Sequence, residues 1–239
     1  MNLFLSFSGE ARETFAVKFL NFFNNYGIHC WYDQHELFLG DNLKNSIIKE
    51  GVETANYCII IINKSFLSRP WPCEEAKRLY ESLESRKHNA IFPILLDIEK
   101  EEVRNSELDF LLNIKYQFLH TGESIDKIGL QILNRIFHDI AMQTKFATLN
   151  DALNYFKRLT LTNSIDIYNA LNVVNNFDHT NYKERTIILI CLTNLFFNNP
   201  YKKALNRISY TIYDNKDVSF DMYKIVESIF LINASIFSC

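Results

Sequence analysis

Glycine is scarce in this 239-residue chain and unevenly placed: all six glycines lie between Gly9 and Gly129. Beyond Gly129 only Pro200 interrupts the pattern. Tight β-turns depend on Gly or Pro, so residues 130–239 are expected to be helical rather than β-rich. The five cysteines, Cys30, Cys58, Cys73, Cys191 and Cys239, contain no C-x-x-C pair. That argues against a zinc site or a disulfide framework and fits a reducing, cytoplasmic compartment. No block of Lys and Arg occurs and the net charge is −3, so nucleic acid is not the expected partner. Long apolar runs are also missing. "MNLFLSFSGEARETF" turns polar after seven residues and lacks a basic n-region, so it reads as a strand rather than a signal peptide. "IVESIFLINASIF" carries Glu227 and is too short for a span of about 20 apolar residues. G-x-G-x-x-G and P-loop motifs are absent, so a nucleotide would have to be held in some other way.

What is present is the composition of a folded protein, with 48% hydrophobic and 22% charged residues. The length suits one ordinary domain plus a smaller one. Five short apolar runs read as strands: "NLFLSF" (2–7), "GIHCWYD" (27–33), "YCIIII" (57–62), "AIFPILL" (90–96) and "YQFL" (116–119). Continuous runs such as "YCIIII" mark strands buried on both faces, as in a parallel sheet covered by helices. Helical spacing separates them. Phe15, Phe19, Phe22 and Tyr26 recur on one face, Leu43, Ile47 and Gly51 on another, and further helices are expected over about 72–86 and 125–144. The order predicts a flavodoxin-like, doubly wound domain with a five-stranded parallel sheet over residues 1–145. Five helical stretches, beginning at "LNDALNYFKRLT" and ending at "DMYKIVESIFLINASIF", predict a small all-helical domain over residues 146–239.

Ligands of open parallel sheets bind beyond the carboxyl ends of the strands. Those ends hold Ser8, Gly9 and Glu10, then 33–41, then Asn63 to Trp71, then Asp97 and His120. A phosphoacceptor receiver domain needs an acidic pair after strand one and an Asp at the end of strand three. Ser8-Gly9 and Asn63-Lys64 stand there instead, and that reading fails. In "FLSRPWPCEEAKRLY", Glu74 and Glu75 follow Pro72 at a helix start, where negative charge suits the helix dipole and proline suits the first position. Locally the two glutamates are equivalent. Trp71 alone reads as a packing residue, Cys73 as a small core or cleft residue, and Asp41 as a cap for the next helix. His120 reads as a strand-end histidine, and Lys202, Lys203 and Arg207 as a solvated helix face.

Taken together, "SFSGEARETF", "WYDQHELFLGDNL", "NKSFLSRPWPCEEAKRL" and "FPILLD", in that order and on those elements, resemble the Toll/interleukin-1 receptor (TIR) domain family over about residues 1–143. The likeness is greatest to its bacterial and plant branch. The resemblance implies NAD⁺ cleavage or a signalling scaffold. In the enzymatic branch a glutamate lies four residues after a tryptophan, which singles out Glu75 as catalytic. Breaking the nicotinamide–ribose bond passes through an oxocarbenium-like state that a carboxylate beside the ribose stabilises. Nicotinamide leaves as a neutral ring, so no general acid and no cofactor beyond the substrate is required. The resemblance places Phe7, Ser8, Gly9, Arg12 and Trp71 along the substrate cleft. It makes Asp33, Leu39, Gly40 and Asp41 part of a gating loop that also contacts a neighbouring protomer.

The expected function is therefore that of an NAD⁺ glycohydrolase, with cyclisation to a cyclic ADP-ribose as a variant outcome, in bacterial antiphage defence or immune signalling. Self-association through TIR–TIR contacts is expected, as is a protein partner for the helical part, with no membrane. The alternative is a non-catalytic adaptor in which Glu75 only starts a helix.

Overall fold

The computed structural model describes residues 2–31, 54–84, 90–159, 162–214 and 217–238. The chain divides into two compact units, Met1–Gly129 and Leu130–Cys239. In the first, β1 (Leu3–Phe7), β2 (Cys30–Trp31), β3 (Tyr57–Ile62), β4 (Ala90–Leu96) and β5 (Gln117–Leu119) form one parallel sheet in the order β2-β1-β3-β4-β5. That is the flavodoxin-like order, with its reversal at β1 and β3. All five expected strands are there, and β3 and β4 have the bounds that their apolar runs predict. Every residue of β3 is buried, as a central strand covered on both faces requires.

Side-chain alternation sorts β1 and β3 between the faces. With Leu5 opposite Ile59 and Ser6 opposite Ile60, Phe4, Cys58, Ile60 and Ile62 fall on one face. They form a core with Cys73, Ala76 and Leu79 of α3 (Pro70–Glu84). Trp31 stacks on Phe4 with ring centroids 5.0 Å apart and closes this core at β2. Ser6 shares the alternation of Phe4, which aims its hydroxyl at the same helix.

The segment after β1 is not one regular helix. A 3₁₀ turn (Gly9–Ala11) and a π turn (Arg12–Ala16) precede α1 (Val17–Asn25). The extra residue of the π turn shifts the inward face, so Phe15, Phe19 and Phe23 are fully buried while Phe22 is half-buried. After β3 a short helix, α2 (Lys64–Leu67), comes before α3. The helix α3 begins at Pro70, two residues before the expected start. The first four N–H groups of a helix have no partner within it, and prolines at positions 70 and 72 remove two of those donors. Glu74 and Glu75 therefore lie beyond the first turn, and the proline at the helix start is Pro70, not Pro72. The long link between β4 and β5 carries α4 (Lys100–Arg104) and a 3₁₀ turn (Asp109–Asn113). The expected helix over Leu43, Ile47 and Gly51 lies outside the described residues.

A helix α5 (Asp126–Ala141) follows β5. The second unit then has α6 (Leu149–Lys157), α7 (Thr162–Asn176), α8 (Tyr182–Phe196), α9 (Lys202–Tyr213) and α10 (Phe220–Phe237). These are the five expected helices. The last is the most apolar, with twelve buried residues from Tyr223 to Ser235, and it packs along α8. Between them, Tyr223 donates to Glu227 and accepts from Arg185 at 2.8 Å, while Lys224 pairs with Glu227. No helix among the described residues is long and apolar enough to cross a membrane.

Candidate active site

A cavity of about 380 Å³ opens where β1 ends and α3 begins. Its wall combines the strand residues Phe4 to Ser8 and Gly9 with Trp31 and, from the other side, Arg69, Pro70, Trp71, Pro72 and Glu75. The position is the one that the fold dictates, outside the carboxyl end of the strand at the topological switch point. Because α3 crosses that end with its first two turns, residues 71 and 75, one helical turn apart, share the face towards the cavity.

Glu75 is half-buried, and Ser6 Oγ donates a 2.8 Å hydrogen bond to its Oε2. Ser6 itself is only 2% exposed, so this bond fixes the carboxylate from below. Its negative charge reaches into the sheet: burial raises the Cys58 thiol well above its ordinary value, and the charge of Glu75 adds to that rise. Glu74 has a different partner and is not part of the wall. It is 42% exposed and pairs with Arg78 at 2.7 Å, a contact along one helix. Neighbouring helix positions point about 100° apart, and here that rotation separates a cavity carboxylate from a surface one.

Trp71 is half-buried, lines the cavity and packs against the core beneath it. Phe7, Ser8 and Gly9 lie in the wall as expected. Ser8, 1% exposed, donates to Asn63 Oδ1 at 2.9 Å, and the same oxygen caps α2 by accepting from Phe66 N at 2.8 Å. Ser8 is thus tied to the start of the helical segment that leads to α3. Arg12 lies in the π turn, and its side chain is outside the described residues, as are Asp33, Leu39, Gly40 and Asp41.

Phe4, Leu5, Ser6, Trp31, Arg69, Pro70 and Pro72 also line the wall and were not among the site residues expected from sequence; of these, Ser6 and Arg69 carry polar side chains into it. Ser6 is the one polar residue in "LFLSF", which was a readable signal. Arg69 reads as an ordinary loop cation until the fold lays it over Gly9.

Other candidates fall away from the cavity. Cys73 is 1% exposed, its thiol is raised chiefly by burial, and its Sγ points at the Phe66 carbonyl 3.6 Å away. A buried thiol kept protonated is a poor nucleophile. Asp97, at the end of β4 with a φ of 49°, accepts from Thr121 N at 3.0 Å and from the Thr121 hydroxyl. The Thr121 bonds, with His120 Nδ1 3.5 Å away, hold its carboxyl below the usual range. That arrangement ties β4 to β5 rather than serving the cavity. Among the described residues no group of three or more His, Cys, Asp or Glu side chains could hold a metal ion.

The TIR domain family model matches residues 3–133. A probable 2′ cyclic ADP-D-ribose synthase, TcpO, of Methanobrevibacter olleyae is 29% identical over 136 residues, 56% of this chain and 38% of TcpO. The NAD(+) hydrolase TcpA of the Theionarchaea archaeon strain DG-70-1 is 31% identical over 105 residues, 44% of this chain and 31% of TcpA. The chain thus spans less than two-fifths of the length of either. Among solved structures, the TIR domains of the activated Roq1 resistosome that recognises the effector XopQ align with a TM-score of 0.48 and 24% identity. That alignment covers 56% of this chain and 98% of that one.

Proposed function

Because the chain belongs to the TIR domain family, we propose that its cavity binds NAD⁺ and that Glu75 assists cleavage of the bond between nicotinamide and ribose. One observation carries the reading: a half-buried carboxylate, fixed by Ser6, faces a cavity at the strand ends beside an aromatic ring. Relatives whose names specify cyclic ADP-ribose synthesis or NAD⁺ hydrolysis are 29% identical to this chain over 136 residues and 31% over 105, which supports the assignment.

The chemistry asks little of the protein. As the C1′–N bond breaks, its electron pair goes to the nicotinamide nitrogen, the ring leaves neutral, and positive charge develops on the ribose. A carboxylate in a partly desolvated site offsets that charge. Trp71 offers a face for the nicotinamide ring and shields the reacting centre from water. Water then bonds to C1′ and loses a proton to give ADP-ribose. Capture by a nucleophile of the same molecule gives a cyclic product instead, with the same loss of nicotinamide. Beyond the substrate, hydrolysis requires only water.

The wider reading is an NAD⁺-consuming enzyme of the cytoplasm acting in antiphage defence or immune signalling. Its TIR domains assemble with one another, and the helical unit takes a protein partner that controls assembly. The four described cysteines are free, which fits a reducing compartment. Nicotinamide release from NAD⁺ by the full chain, followed across a dilution series and compared with Glu75→Gln, tests the proposal and its dependence on self-association together. Absence of release at every concentration would leave the adaptor reading, and chromatography of the ribosyl product distinguishes hydrolysis from cyclisation.

A further inference from the structure

Among the described residues the cavity wall carries one cation as well as one anion. Arg69 sits between the last turn of α2 and Pro70, its backbone N–H donating to the Phe66 carbonyl at 3.3 Å. A following proline disfavours helical backbone at the residue before it, so Arg69 forms a fixed step between two helices. From that step its guanidinium reaches across to β1. A Cβ built on Gly9 would stand 3.7 Å from Arg69 Nη1, so the charged group lies directly over the exposed backbone at the strand end. Among the described residues Arg69 forms no ion pair, whereas neighbouring cations Lys64, Lys77 and Arg78 each have a carboxylate. Arg69 and Glu75 are the only charged groups of the twelve wall residues.

Resting on the reading of the cavity as an NAD⁺ site, we infer that Arg69 binds the diphosphate of the dinucleotide while Glu75 faces the ribose that bears nicotinamide. The substrate has the matching polarity. Its nicotinamide end is cationic and its diphosphate doubly anionic, so a wall with a carboxylate on one side and a guanidinium on the other sets its direction. Reversed binding would put the diphosphate against Glu75. A planar guanidinium also presents paired N–H donors to phosphate oxygens, which a lysine cannot reproduce. Because Arg69 meets the diphosphate equally before and during bond cleavage, its contribution belongs to binding and not to the chemical step.

The test compares wild type, Arg69→Lys and Arg69→Ala on two substrates, NAD⁺ and nicotinamide riboside, which has the same scissile bond but no phosphate. Loss of a charge-assisted contact should raise KM for NAD⁺ about tenfold to a hundredfold with little change in kcat. Cleavage of nicotinamide riboside should be unchanged, and Arg69→Lys should fall in between. Calorimetric binding of ADP-ribose, with inorganic pyrophosphate as competitor, should weaken in parallel and needs no turnover. If wild type cleaves nothing yet binds ADP-ribose through Arg69, the proposed activity fails and the diphosphate site stands. Equal KM and equal ADP-ribose affinity in all three proteins would overturn the inference, as would failure of wild type to bind either anion.

Discussion

Replacing Glu75 by Gln is the most decisive perturbation, because it removes a charge while keeping shape. The amide can still accept the Ser6 hydrogen bond that holds the carboxylate at 2.8 Å, and side-chain volume barely changes, so the cavity wall should stay as it is. What disappears is the attraction between a full negative charge and the positive charge developing on the ribose. At a separation of about 4 Å and an effective dielectric constant of about 20, suited to a half-buried group, that attraction is about 4 kcal/mol. A neutral amide dipole retains part of it. A net loss of about 3–4 kcal/mol in the transition state corresponds to a rate reduced by about two to three orders of magnitude. In fully solvated surroundings the same charge would contribute only about 1 kcal/mol, so the size of the effect reports how well the site excludes water. The assay is nicotinamide release at matched protein concentration, with thermal unfolding to confirm an intact fold. Glu74→Gln is the control: its ion pair with Arg78 is on the surface, and both rate and stability should change little. A Glu75→Gln rate within tenfold of wild type would refute the electrostatic role.

Three further outcomes follow from individual contacts. Ser6→Ala removes the donor beneath Glu75; kcat should fall several-fold with KM nearly unchanged, and Ser6→Thr should restore part of it, whereas equal loss in both parameters would point to a collapsed wall. Asp97 is held below its ordinary value chiefly by Thr121, so its ionised form stabilises the fold fully above the ordinary range of about 4 and loses that contribution as pH falls through the lowered value. Urea midpoints of wild type and Asp97→Asn should therefore differ at pH 7, and the gap should narrow as pH falls below about 4 and through the lowered value, Asn being tolerant of the positive φ; a gap independent of pH would count against it. Tyr223→Phe deletes the hydroxyl that links Arg185 and Glu227 in the helical unit, and because both charged groups are buried the cost should be about 1–3 kcal/mol in chemical denaturation, with nicotinamide release per folded molecule unaltered.

The parts of this fold that were legible in the sequence are those with a single physical cause. "YCIIII" and "AIFPILL" gave strand bounds to the residue because burial on both faces leaves no polar position to blur them. The start of β2 was placed too early, since "GIHCWYD" opens with Gly27 to His29, and pairing with β1 begins at Cys30. The start of α3 was misjudged for a related reason. Two prolines in "RPWPCEE" each satisfy the rule for a helix start, and which one begins the helix depends on how α2 hands the chain over at Arg69. Ser6 and Arg69 escaped notice because their roles exist only between segments. Ser6 needs α3 above it, and Arg69 needs Gly9 opposite.

The same distinction explains why the two adjacent glutamates could not be told apart from local pattern. Near a helix start any acid is favoured by the dipole, and that term cannot rank position 74 against 75. The ranking comes from what each carboxylate meets. At 74 the charge meets Arg78 one turn along the same helix, a pair worth little. At 75 it lies over a fully buried sheet face near Cys58 and accepts a hydrogen bond from a serine that is itself cut off from solvent. Placing a carboxylate in such surroundings opposes stability unless the cavity is filled by a group that gains from the charge. A helix-starting role would be served as well by glutamine, so Glu75→Gln should raise stability while abolishing most nicotinamide release. Loss of stability together with retained release would mean that the carboxylate belongs to the fold and not to the chemistry.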